Sequence, residues 1–181
     1  MALQATMYRI QLNVSDVDRG VYEAVDLRVA RHPSESAEYM AVRVLAYALE
    51  LHRDITFGRG VSTPDEPTVA VIDPTGLVQV WIEVGSPSAE KLHKVTKQAE
   101  DVAIYSHKDV PHLVTGWRAA AVHGADRVRV YEVDADFIAE VAEATERKCT
   151  WDVLRSEGVI YVTIGDNTFS AGLPVHRLTD I

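Results

Sequence analysis

Residues 64–94 read PDEPTVAVIDPTGLVQVWIEVGSPSAEKLHK. Two runs rich in β-branched residues, TVAVID (68–73) and LVQVWIEV (77–84), flank DPTG. Pro74 and Gly76 stand where a type I turn prefers them, so the stretch predicts an antiparallel hairpin. Side chains alternate along a strand, which puts Leu77, Gln79, Trp81 and Glu83 on one face and Val78, Val80, Ile82 and Val84 on the other. Asp65 stands before the first strand and Glu83 near the end of the second, so the hairpin carries both acids to the same end of the sheet. Crowded carboxylates repel unless a proton or a cation intervenes, and Mg²⁺ is typically held by one or two carboxylates with waters and phosphate oxygens. Glu83 is the sharper signal. It closes a strand whose opposite face is wholly apolar, which predicts part-burial, and a part-buried carboxylate needs partners. The bland alternatives are a DEP turn entrance and a solvated strand end.

Downstream of Gly85, Ser86 is expected to cap a helix with Pro87 at its first position. Leu92, Val95, Ala99 and Val102 would form its buried stripe, with Lys91, Lys94, Gln98 and Asp101 beside it, and a further strand is expected from about Asp101 through VAIYS (102–106). Upstream, MYRIQLN (7–13) and VYEAVDLRVA (21–30) predict a pair of N-terminal strands. From Ser34 to about Arg53, Ala37, Met40, Ala41, Val44, Leu45, Ala48 and Leu51 recur with helical spacing, and Glu35 and Glu38 occupy the first turn, where the helix dipole favours anions. Glu38 precedes Ala41 and Leu45 on the core-facing side, which aims a third carboxylate toward the sheet. DITFGRG (54–60) reads as a short strand entering a loop. The remainder reads as helix (109–124), strand (127–133), helix (134–144) and a β-rich tail turning at SEG (156–158) and GDN (165–167). The expectation is a mixed α/β fold in a single domain over residues 1–181, with a core order of helix, three strands, helix and strand.

Composition narrows the function classes. The 181 residues are 47% apolar, enough for a sizeable core, and carry 18 Lys+Arg against 27 Asp+Glu, a net charge of -9. Such a balance argues against coating a long nucleic acid, so any contact with one is local. The polar start lacks an apolar run of signal length, no stretch approaches a membrane span, and a single cysteine, Cys149, makes no internal disulfide, which together point to the cytoplasm. The seven histidines show no metal-ligand spacing and no phosphate-binding glycine loop occurs. Lys91, Lys94 and Lys97 are the local basic concentration. Lys94, with Gln98 one turn on, is expected to flank the buried stripe and reach the ends of the hairpin strands.

MALQAT (1–6), ARHPSE (30–35), RG (59–60), DEP (65–67), WIEVG (81–85) and the pair Lys94 and Gln98 together resemble the YaeQ family over nearly the whole chain. That family's fold resembles the restriction-endonuclease-like proteins of the PD-(D/E)xK superfamily, and PD occurs literally at Pro64-Asp65. The resemblance implies that Asp65 and Glu83, with the Val84 carbonyl, ligate Mg²⁺ or Mn²⁺, with Glu66 an alternative to Asp65. It also implies that Glu38, or less readily Glu35, is the acid of the first core helix. Gly85 stands at the position of the superfamily's lysine, and Lys94 with Gln98 matches a lysine displaced onto the following helix. The function implied is a metal-dependent nuclease. The rivals are a non-catalytic regulator, transcription-linked, that binds nucleic acid or a protein, and an enzyme for a small phosphate ester.

Overall fold

The computed structural model describes residues 4–59 and 65–179, so Met1, Ala2, Leu3, Gly60 and Pro64 of the quoted motifs lie outside the described residues. In chain order the elements are β1 (Thr6–Asp16), β2 (Val21–Arg31), α1 (Ala37–Leu49), β3 (Ile55–Phe57), β4 (Val69–Ile72), β5 (Val78–Val84), α2 (Ala89–Val95) and β6 (Ala99–Ser106). They continue with α3 (Val110–Ala119), a 3-10 turn (Ala125–Arg127), β7 (Val128–Glu132), α4 (Ala135–Ala144), β8 (Lys148–Ser156), β9 (Val159–Ile164), β10 (Asn167–Gly172) and β11 (Val175–Arg177). The fold is mixed α/β, with two mixed sheets. The chain divides into two compact units, one of Met1–Leu51 with Asp134–Leu173, the other of His52–Val133 with Pro174–Ile181.

The first unit holds the sheet β10-β9-β8-β1-β2. The expected N-terminal hairpin forms with Thr6 opposite Arg31 and Asp16 opposite Val21, and β8 joins β1 in parallel. Along β1, Ile10, Leu12 and Val14 are buried while Arg9, Gln11 and Ser15 are exposed, the period of two that a one-sided sheet requires. On the buried side α4 packs against β9 and β10, and α1 against β1 and α4. Helix α1 is shorter than the sequence pattern implies. Ser36 is its cap, its Oγ accepting the Tyr39 N–H at 3.0 Å, so Glu35 precedes the helix. At the other end the Arg19 guanidinium donates to the carbonyls of Leu49 (2.8 Å) and Leu51 (2.9 Å), satisfying groups a helix leaves open. Every residue from Met40 to Leu49 is buried, so the apolar stripe read from the sequence is too narrow.

The second unit holds the sheet β11-β7-β6-β5-β4-β3, parallel across β5, β6 and β7. The expected hairpin forms, with Val69 opposite Ile82 and Ala70 opposite Trp81. Its turn is held by Asp73, whose Oδ1 accepts the N–H groups of Thr75 (2.9 Å) and Leu77 (3.0 Å). Trp81, Leu92, Val95, Val102, Ile104, Trp117, Val128 and Val130 form the core between the sheet and its helices. Helix α2 departs from expectation at both ends. Ser88, not Ser86, caps it by accepting the Lys91 N–H at 3.1 Å, and Pro87 lies ahead of the cap with its carbonyl accepting the Trp117 indole N–H at 3.0 Å. The helix stops at Val95, where the Thr96 hydroxyl turns back to the Leu92 carbonyl at 2.9 Å. Arg127 then donates to the carbonyls of Thr96 and Ala99, both at 2.6 Å, and clamps the turn. Gly124 suits the turn: its φ of +65° is one L side chains rarely adopt, and a Cβ on it would crowd the Arg127 Nη2 at 2.6 Å. Strand β6 therefore starts at Ala99, and the Ala99 and Val102 expected on the helix are strand residues.

Candidate functional site

Glu83 is 3% exposed at the end of β5. Trp81, two residues earlier and on the same face, donates its indole N–H to the Glu83 Oε1 at 2.7 Å. Lys91 donates from Nζ to the Glu83 Oε2 at 3.1 Å. With Ser88 as the cap, Lys91 is the third helical residue. Burial pushes the Glu83 carboxyl above its ordinary value of 4.5, while Trp81 and Lys91 pull it back only in part. The Lys91 side chain is 29% exposed, so the acid is buried and its counter-charge touches water.

Among the described residues, none of the other expected site side chains forms a hydrogen bond or ion pair with Glu83. Asp65 is exposed in a turn, four residues ahead of the first residue of β4, and Glu66 is engaged by the Arg59 guanidinium, with Nε at 2.8 Å. Val84 is buried beside Tyr105 of β6, whose carbonyl accepts the Gly85 N–H at 2.9 Å. Lys94 faces Glu90, at 3.5 Å, on the exposed side of α2, and Gln98 lies exposed in the turn beyond the helix rather than on it. The lysine on Glu83 is thus Lys91, where Lys94 was expected. Glu38 is half-buried in the first turn of α1, in the other unit. Glu35 is fully committed there. Its carboxylate takes the Arg43 guanidinium at 2.6 and 3.0 Å and the His32 backbone N–H at 3.1 Å.

Among the described residues no group of three or more His, Cys, Asp or Glu side chains is arranged to hold a metal ion. Glu83 is a buried carboxylate with its second oxygen on the part-exposed Lys91 ammonium. That donor set meets the lower bound for Mg²⁺, which takes one or two carboxylates and completes its shell with water and phosphate oxygens. Two features escaped the sequence reading. Trp81 as a donor to Glu83 was legible from their shared strand face; Lys91 lay on the same expected stripe as Lys94, and spacing alone did not choose between them.

The sequence profile of the family described as YaeQ protein matches residues 1–172. Proteins named uncharacterized protein YaeQ from Salmonella typhi and Escherichia coli (strain K12) are each 30% identical, over 96% of this chain and 96% of their own. Two crystal structures share the architecture. The YaeQ protein from Xanthomonas axonopodis pv. citri matches with a TM-score of 0.89 at 29% identity, covering 96% of this chain and 98% of that one. The YaeQ protein from Pseudomonas syringae matches at 0.88 and 34%, covering 98% and 97%. No helix among the described residues is long and apolar enough to cross a membrane.

Proposed function

The chain belongs to the YaeQ family, and from its Glu83 site we propose a Mg²⁺- or Mn²⁺-dependent nuclease with a restriction-endonuclease-like centre of the PD-(D/E)xK type. The observation that carries the reading is the Glu83–Lys91 couple: a buried strand-end carboxylate and a lysine delivered from the following helix. A lysine two residues beyond Glu83 would fall on Gly85, whose φ of +98° L side chains rarely adopt. Helix α2 supplies the ammonium instead. Strands β3 to β6 and helix α2 of the expected core lie in one compact unit, and α1 belongs to the other.

Glu83 would hold the ion, with Asp65 and the Val84 carbonyl as the further donors of such a site. A bound divalent ion polarises the scissile phosphate and lowers the pKa of a bound water. Trp81 fixes the rotamer of Glu83 through the indole bond. Lys91, whose ammonium lies on Glu83, would present it to the charge that develops on the phosphate. The raised carboxyl makes ion binding strengthen as pH rises through the Glu83 titration. Two observations favour the rival, a non-catalytic regulator: Lys91 already neutralises Glu83, and Asp65 stands exposed ahead of the strand. Single-turnover cleavage of DNA and RNA, single- and double-stranded, with Mn²⁺ separates the two. Glu83→Gln and Lys91→Ala should lose cleavage and Lys94→Ala should keep it; no cleavage by the parent on any substrate, or equal cleavage by all four proteins, overturns the nuclease reading.

A further inference from the structure

The face of the five-stranded sheet turned away from α1 and α4 carries an arrangement unlike the rest of this acidic chain. The strand register puts Arg9 of β1 directly opposite Arg28 of β2 and directly opposite Lys148 of β8. Three cations therefore stand in one row across three neighbouring strands, all exposed. Like charges directly opposite on neighbouring strands are destabilising, so the row costs stability unless an anion covers it. One acid answers it from within the chain, Asp26, 3.1 Å from Arg9; among the described residues Arg28 and Lys148 form no ion pair. The row borders a cleft of about 510 Å³ lined by Arg9, Gln11, Asp26, Lys148, Cys149 and Thr150.

Six residues further along β1, on the same face, Ser15 stands opposite Tyr22, and beyond it Leu154 of β8 opposite Tyr161 of β9. Tyr22 is 62% exposed, Tyr161 37% and Leu154 38%. At ~3.3 Å per residue the tyrosine row lies roughly 20 Å from the cation row. A second cleft, of about 380 Å³, has Leu154 and Tyr161 in its wall.

We propose that this face is a binding surface for single-stranded nucleic acid, whose phosphates take the row of Arg9, Arg28 and Lys148 and whose unstacked bases take Tyr22 and Tyr161. An open sheet face with a cationic row at one end and exposed aromatic rings roughly 20 Å along it suits a single strand several nucleotides long, since every base has a face to stack and every nucleotide a charge to neutralise. A duplex keeps its bases inside and gains nothing from the tyrosines. The surface needs neither metal nor Glu83, so it stands apart from the nuclease reading.

Fluorescence anisotropy of a labelled single-stranded oligonucleotide, in EDTA at low salt, tests it. The parent binds, and the triple variant Arg9→Glu, Arg28→Glu, Lys148→Glu does not, with melting curves confirming that this exposed row can be reversed without unfolding. Tyr22→Ala and Tyr161→Ala each weaken binding roughly ten-fold, within the range for one stacked base. The salt dependence has a logarithmic slope of about two, for three phosphates at ~0.7 each on a single strand. Absence of binding by the parent, equal binding by the triple variant, tighter binding of the matching duplex, or a tyrosine-dependent dimer in sedimentation without oligonucleotide binding would each overturn the proposal.

Discussion

Glu35 in the first unit and Glu83 in the second are both buried acids, 5% and 3% exposed, and they meet their counter-charges in different ways. Glu35 is clasped by both arms of the Arg43 guanidinium, itself 5% exposed, and by a backbone N–H. Asp16 repeats the pattern with Arg155, at 3.1 and 2.8 Å, where the ends of β1 and β8 meet. These are closed pairs, planar fork on planar carboxylate, and their geometry locks strand ends and the entry to α1. Glu83 has an indole on one oxygen and a flexible, part-hydrated ammonium on the other, and its carboxyl remains above the ordinary range. A fixed guanidinium suits architecture. An ammonium that can leave suits exchange with a cation or a phosphate.

Removing one partner of each pair measures that difference. Arg43→Met should cost the most, about 3–5 kcal/mol in denaturant unfolding, because it strands Glu35 in the interior with a backbone N–H for company. Lys91→Met should cost less, about 1–2 kcal/mol, since Glu83 keeps the Trp81 bond and can take up a proton. Equal losses in the two variants would abolish the distinction between a closed and an exchangeable pair.

The smallest effect is a pH dependence. A carboxyl whose folded pKa is raised binds its proton more tightly when folded, so its stabilising contribution is full below the unfolded value and fades as pH rises through the folded one. Melting temperatures should therefore show the parent losing ground to Glu83→Gln as pH climbs from about 4.5 upward. Asp18 titrates in the other sense. The Gly158 and Glu157 N–H groups hold its carboxyl below the ordinary range, so its contribution is lost only as pH falls through that depressed value.

The hairpin of β4 and β5 was legible because local signals agree there: β-branched alternation on both sides of a turn whose residues suit it. The N-terminal hairpin, β7, α4 and the β-rich tail with its two turns followed from the same kind of evidence. Helix α2 misled because two serines compete as its cap. The Ser86-Pro87 pair satisfies the local rule, yet the Trp117 indole, thirty residues away, holds Pro87 outside the helix. Arg127 ends α2 early in the same fashion, from beyond α3. Lys94 was expected to reach the strand ends, but it pairs with Glu90, and Lys91 meets Glu83. Helix α1 was read as one-faced although Val42, Ala46 and Tyr47 also lie inside it, and the structure buries them all. The chain order grouped α1 with β3 to β6, but α1 packs with β1 and α4, strands and helices the sequence supplies far apart.

If Glu83 exchanges its lysine for a divalent cation, the chain's three tryptophans report it. The Trp81 indole N–H donates directly to the Glu83 carboxylate, while Trp117 donates to the Pro87 carbonyl. Paramagnetic Mn²⁺ broadens the resonances of nuclei close to it. In a stepwise Mn²⁺ titration followed through the indole N–H signals, the Trp81 resonance should broaden first, in the parent and in Lys91→Ala, and should survive in Glu83→Gln. A Trp81 signal that outlasts those of Trp117 and Trp151, or that broadens equally in Glu83→Gln, would contradict a cation at Glu83.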